Sequence, residues 1–298
     1  MRSRMAAAVV LAAALAAGCG QPAGAGPAAG AGASAGAGPA TGGSAARPSR
    51  PAASHARATP ANASPVAEAC GPPAAPGRLL TVTAADRVRL AAATAGSGRR
   101  GVLLIPELGP AGMCGWWAYA AKLSRSGYRV LMLDHRCTGG SGCPAGAAGQ
   151  DLMADIRGAV TWLRDAGAAS VVLIGASQGA SEAVIAATRP PAGVTGVVVL
   201  SADELTMPLA RRPYPRTALA AAPRLRLPVL FAVAAGDPYV SVAGTRRLVA
   251  AARAPGKRLV VLAAGSGHGW DLVSPTAGTS AGAGFIRTVG AFLARASS

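Results

Sequence analysis

The sequence predicts an α/β domain built on a mostly parallel sheet, and three observations carry that prediction. Short apolar runs such as 171–174 recur along the chain, each brief enough to be a fully buried strand. Between them lie longer segments whose apolar residues fall at helical spacing, and a βαβα series of this kind calls for helices on both faces of a parallel sheet. Finally, Gly175-Ala176-Ser177-Gln178-Gly179 sits directly between one such strand and a helical segment, where small residues suit a sharp turn.

Taken in order, residues 78–82 and 87–92 flank Ala85-Asp86 and read as an antiparallel hairpin. Residues 102–105 are a buried strand. Residues 116–125 read as a helix ended by Gly127, and 129–133 as the next buried strand. From Asp151 to Ala166, the residues Leu152, Ile156, Val160 and Leu163 recur at helical spacing, and Gly167 marks the stop. Strand 171–174 and helix 181–187 flank the glycine-rich pentapeptide. Strands over 196–200, 229–234 and 258–262, with helices over 242–252 and 285–294, complete an eight-stranded series.

The first 65 residues contribute no core. Met1–Arg4 is a basic head, and residues 6–17 form an apolar run of 12 residues, a secretory signal too short to span a membrane. Leu15-Ala16-Ala17-Gly18-Cys19 resembles a bacterial lipobox, in which Cys19 is lipidated and becomes the new N-terminus. The leucine stands one residue early, with Ala16 three before the cysteine, and cleavage after Ala14-Leu15-Ala16 would instead release a plain secreted protein. Residues 20–65 are almost entirely Ala, Gly, Pro, Ser and Thr with no acidic residue, so they cannot offset their ordering entropy. They read as a tether with a reach of about 35–40 Å. The expected organisation is a signal peptide over 1–18, a disordered tether over 19–65 and one domain over 66–298, held at the outer face of the cell membrane.

The net charge of +17 does not point to nucleic acid. Five arginines precede the first acidic residue, and the rest are dispersed apart from 211–216 and 224–226, with no accompanying zinc-finger, helix-turn-helix or RNP-type pattern. Attraction to anionic lipid or wall polymer is the simpler consequence. Beyond Cys19 an even number of cysteines remains, Cys70, Cys114, Cys137 and Cys143, as suits an oxidising compartment. The flexible loop between Cys137 and Cys143 favours joining those two, leaving Cys70 for Cys114; crossed pairings such as Cys114 with Cys137 are the alternative. His135 is the one histidine near them, which argues against a metal site.

In its strand–turn–helix setting, G-x-S-x-G is a nucleophile elbow: strain lifts the Ser177 hydroxyl above the sheet edge. Residues 78–298 resemble the α/β-hydrolase superfamily, of the compact dienelactone-hydrolase or small-esterase kind. Beyond the elbow, Asp134-His135-Arg136-Cys137-Thr138-Gly139-Gly140-Ser141 is similar to the D-x-R-G-x-G-x-S loop after strand four. Gly236-Asp237 resembles the acid loop after strand seven, and Gly267-His268-Gly269 the histidine loop after strand eight. The order Ser177, Asp237, His268 is the order of that fold.

The resemblance implies Ser177 as nucleophile, His268 as base and Asp237 as the acid that orients it. Other roles compete at each position. Ser177 would also serve as a helix N-cap. Of the three histidines, His55 lies in the tether and His135 in a loop that lines the pocket wall in similar proteins. Asp237 precedes Pro238 and suits a turn or a cap near Ser241, and Asp203 after strand six is the competing acid. Asp271 lies too near His268 in sequence. For the oxyanion hole, the backbone N–H of Gln178 follows the nucleophile, and Leu108 aligns as the second donor. The usual H-G pair is missing there, and Pro106-Glu107-Leu108-Gly109 stands in its place. A carboxylate near a developing oxyanion raises the barrier, so Glu107 either turns toward Arg136 or meets a cationic substrate group.

These parts describe an exported serine hydrolase acting on small or polymeric carboxylic esters through an acyl-enzyme, as a monomer without metal or organic cofactor. The short connection over 201–228 leaves little room for a lid. A peptidase or amidase of the same fold, and a non-catalytic surface lipoprotein, are the competing readings.

Overall fold

Apolar runs become central strands here because both of their faces are covered. The computed structural model describes residues 66–73, 75–146, 151–203 and 214–297, all within one compact unit spanning residues 57–298. The expected signal peptide, Cys19 and the tether lie outside the described residues, as does 204–213 of the short connection. Among the described residues, eight strands form one sheet: β1 (Arg78–Thr83), β2 (Arg89–Ala95), β3 (Arg100–Ile105), β4 (Tyr128–Leu133), β5 (Ser170–Ala176), β6 (Val194–Leu200), β7 (Val229–Ala234) and β8 (Arg258–Leu262). Their spatial order is β1-β2-β4-β3-β5-β6-β7-β8; β2 runs antiparallel to both its neighbours, and every later pairing is parallel.

Side-chain alternation along the central strands divides the core in two. On one face Leu103, Ile105, Val171 and Leu173 pack beneath α3 (Leu152–Asp165), α4 (Gln178–Ala186), the short α5 (Ala218–Ala221) and α6 (Val242–Ala251). On the other, Val102, Leu104, Val172 and Ile174 pack beneath α2 (Trp117–Arg125) and α7 (Ala283–Ala296). A truncation such as Leu104→Ala, at a position with no exposed surface, costs about 2–5 kcal/mol.

Most elements differ from their expected bounds by one to three residues, β2 most among the strands at Arg89–Ala95 against 87–92, and two of the differences share a local reason. A 3-10 turn, Gly112–Trp116, precedes α2, and α4 starts at Gln178 instead of 181. Glycine and serine are weak helix formers, so the periodic signal begins later than the helix. Ahead of the sheet lies α1 (Val66–Cys70), and the Cys70–Cys114 disulfide fastens it to the 3-10 turn. The second disulfide joins Cys137 to Cys143. In the chain-entropy treatment the first, closing 44 residues, contributes about 4 kcal/mol and the second, closing 6, about 2 kcal/mol. The Trp117 indole N–H also donates to the Pro73 carbonyl at 2.8 Å, fixing the same segment.

The strand order positions the site. The chain leaves β3 toward the α2 face, and leaves its neighbour β5 toward the α4 face. A crevice therefore opens at the carboxyl ends of β3 and β5, where ligands bind in open α/β sheets.

Candidate active site

Ser177 directly follows β5 with φ 49° and ψ −115°, backbone angles that cost a non-glycine residue about 1–3 kcal/mol. Its neighbours make the turn sterically feasible. A Cβ on Gly175 would strike the carbonyl of Gly179, and one on Gly179 would stand 2.5 Å from the Ile105 carbonyl oxygen and closer still to that of Pro106. Both glycines are therefore required by close approach, the second by approach to the end of β3. The Ser177 N–H donates to the Leu200 carbonyl at 2.9 Å, which ties the turn to β6.

Asp237 follows β7 and its carboxylate lies 2.8 and 2.9 Å from Nδ1 of His268. Such a contact places the proton on Nδ1 and the lone pair of a neutral ring on Nε2. The carboxylate is held from three further sides: the backbone N–H groups of Tyr239 and Val240 donate at 3.0 and 3.1 Å, and the Ser201 hydroxyl at 2.7 Å. Burial on its own pushes the Asp237 carboxyl up; the imidazole and these donors outweigh it and hold it below its ordinary value. The cap of α6 is supplied by Ser241, whose hydroxyl accepts from Gly244, so Asp237 has no part in it. Asp203 instead accepts from the Ser181 hydroxyl at 2.9 Å.

His268 is 7% exposed and rides on a loop folded by glycines at positive φ, Gly267 (83°) and Gly269 (53°). Asp271 accepts from its backbone N–H at 3.4 Å, leaving the ring to Asp237. A Cβ on Gly269 would lie 3.2 Å from the Ala176 Cβ, so this loop abuts the residue preceding Ser177. Tyr239 sets its ring edgewise to the imidazole, centroids 4.7 Å apart, with 78% of its surface exposed.

Glu107 does not reach Arg136. Its carboxylate lies under Gly269 and accepts from the Trp270 N–H at 3.4 Å, beside the histidine loop. Burial pushes its carboxyl up to about 7, opposed by His268 and by that N–H. Arg136 has a better offer: its buried guanidinium donates to Asp155 at 2.6 to 3.1 Å and to Asp86 at 2.9 and 3.0 Å. Two carboxylates in fork geometry outcompete a third on another loop.

Gln178 opens α4, where backbone N–H groups lack intrahelical acceptors, and Leu108 sits in the loop after β3 with 56% of its surface exposed. Among the described residues no group of three or more His, Cys, Asp or Glu side chains is arranged to hold a metal ion. Ser201 and Tyr239 join the site without belonging to any motif in the sequence. Ser201 had one visible signal, its place directly after the apolar run of β6, which parallels Ser177 after β5; Tyr239 had none.

A family profile described as alpha/beta hydrolase fold matches residues 101–217, a stretch that contains Ser177 and ends before Asp237. Three solved esterases superpose on the chain. That of Pyrococcus furiosus gives a TM-score of 0.59 at 20% identity, covering 74% of this chain and 91% of its own. That of Thermogutta terrifontis gives 0.58 at 15%, covering 74% and 100%. That of Exiguobacterium antarcticum gives 0.55 at 18%, covering 72% and 98%. The chain has the α/β-hydrolase fold. In sequence it is 36% identical over 163 residues to an uncharacterised protein of Mycobacterium tuberculosis strain H37Rv, an alignment covering 50% of this chain. The chain spans only 56% of the length of that curated relative.

Proposed function

We propose that the protein is an exported, lipid-anchored serine hydrolase that cleaves carboxylic esters through Ser177, His268 and Asp237. The observation that carries this reading is the Asp237–His268 contact at 2.8 Å on a loop that abuts the strained elbow of Ser177. In the reaction, Nε2 of His268 takes the Ser177 proton while Oγ attacks the ester carbonyl carbon, and the imidazolium is stabilised by Asp237. The N–H groups of Gln178 and Leu108 receive the oxyanion. Collapse of the tetrahedral intermediate breaks the C–O bond, His268 returns its proton to the leaving alkoxide, and an acyl-Ser177 ester remains. Water, deprotonated by His268, then attacks that ester to release the acid and restore the hydroxyl.

The fold shared with esterases supports the assignment, and so does a cavity of about 240 Å³ beside Tyr239. Its lining is mixed, with Ala218, Leu219 and Leu248 beside Asp203, Ser241 and Thr245, and its size suits a short acyl or alcohol group. Labelling with a fluorophosphonate probe, followed by a panel of ester and amide substrates, tests the reaction class. Ser177→Ala is expected to abolish labelling and to lower turnover by about 10⁴-fold or more. A folded variant with wild-type activity rules the nucleophile out.

Anchoring rests on the basic head, the short apolar run and Gly18-Cys19, and the two disulfides suit the oxidising compartment it implies. Mass spectrometry of the native protein should find a lipidated Cys19 as its first residue. An unmodified terminus elsewhere would make this a plain secreted hydrolase.

A further inference from the structure

His135 and Glu182 stand outside the Ser177–His268–Asp237 set, yet both are buried, at 4% and 1% exposure. His135 follows β4, and Glu182 lies one turn along α4 from Gln178. Together they form a continuous chain of contacts. His135 Nε2 is 3.0 Å from the Pro106 carbonyl oxygen, His135 Nδ1 is 3.5 Å from Oε2 of Glu182, and Oε1 of Glu182 accepts from the Gln178 side-chain amide at 2.7 Å. The two ends of this chain belong to the segments assigned above to the oxyanion. Pro106 leads into Glu107-Leu108, and Gln178 is itself the other donor.

Chemistry at the ends dictates the protonation in the middle. A carbonyl oxygen only accepts, so Nε2 of His135 carries a hydrogen. Oε1 of Glu182 receives the Gln178 N–H. With no proton between them, Nδ1 and Oε2 would face each other as two lone pairs in a dry interior. One shared proton removes that repulsion, whether the pair is written as imidazolium and carboxylate or as imidazole and carboxylic acid. Asp155 and Asp203 also face Glu182, Asp155 faces His135, and Arg136 neutralises Asp155. Burial pushes the Glu182 carboxyl up to about 7 against the pull of His135 and Gln178, in keeping with a proton retained by the pair.

We propose that His135 and Glu182 are positioning residues, a buried pair sharing one proton that ties the loop after β3 to the first turn of α4 and so sets the spacing of the two oxyanion N–H groups. The proposal rests on the serine-esterase reading. It separates two substitutions at one position. In Glu182→Gln the new amide donates to Nδ1 and its oxygen still accepts from Gln178, so both links survive. Glu182→Leu keeps an aliphatic side chain of similar size and breaks both.

Turnover of a chromogenic acetate ester by the full chain is the first readout. Glu182→Gln is expected to keep kcat within about threefold of wild type, whereas Glu182→Leu loses on the order of 10²-fold in kcat with KM little changed, because the N–H pair acts mainly on the transition state. The second readout needs neither activity nor the leucine variant. In protein labelled with ¹⁵N-histidine and carrying His55→Gln, His135 should show a protonated Nε2 throughout the neutral range and an Nδ1 resonance that moves in Glu182→Gln. Equal losses in both variants, an unaffected Glu182→Leu, or a neutral His135 carrying its hydrogen on Nδ1 and none on Nε2 each overturn the proposal. Wild-type protein inactive on every ester overturns the esterase reading instead and takes the oxyanion role with it.

Discussion

Gly179→Ala places one methyl group where two backbone carbonyls already stand. The added carbon would lie 2.5 Å from the Ile105 oxygen and closer to the Pro106 oxygen, against about 3.4 Å for an ordinary contact. Neither oxygen swings aside freely, because Ile105 is paired with Gly175 of β5 and Pro106 accepts from His135. The loop after β3 and the start of α4 must therefore separate by about 1 Å. Overpacking on that scale costs about 1–3 kcal/mol of stability. A displacement of about 1 Å between catalytic groups costs on the order of 10²-fold in rate. Steady-state kinetics on an acetate ester, with thermal unfolding of the same preparation, measures both, and the loss should fall on kcat more than on KM. Gly290→Ala is the matching control, since nothing lies within 4 Å of its added carbon in the middle of α7. It is expected to stabilise by about 0.5–1 kcal/mol through helix propensity, with unchanged kinetics. Wild-type kcat and unfolding temperature in Gly179→Ala would refute the close approach of the two loops.

Asp237→Asn should lower kcat by about 10⁴-fold by favouring the wrong tautomer of His268, while Asp203→Asn, whose amide oxygen still accepts from Ser181, stays within a few-fold; the reverse outcome moves the acid to the end of β6. Glu107 carries a folded value of about 7 against an ordinary 4.5, so its contribution to stability is complete below about pH 4.5 and is lost as pH rises through about 7. Glu107→Gln should accordingly lose less unfolding temperature than wild type between about pH 5 and about pH 8, and parallel curves for the two proteins would show that Glu107 titrates as an ordinary surface carboxyl.

Much of this protein is determined locally, and local determinants are visible in a sequence. Apolar runs such as 171–174 and 229–234 declare strands because both faces are buried, and Leu152, Ile156, Val160 and Leu163 declare a helix because one face is. Ser177 is legible because the two glycines that its turn requires stand two positions to either side, although the Ile105 and Pro106 carbonyls that exclude a side chain at 179 belong to a distant part of the chain. The contact that singles out His268 is of another kind. Asp237 and Asp203 each follow a strand and each suit a turn, and what separates them is which strand end lies beside the histidine loop. Glu107 shows this most plainly. Its partner is the loop around Gly269, 162 residues along the chain, while Arg136 is already claimed by Asp86 and Asp155. Ser201, Tyr239 and the His135–Glu182 pair likewise join segments that no periodicity connects. Periodicity reports only which side of an element is buried; which polar groups meet at the strand ends depends on strand order and on competition among donors and acceptors, and both exist only once the sheet is assembled.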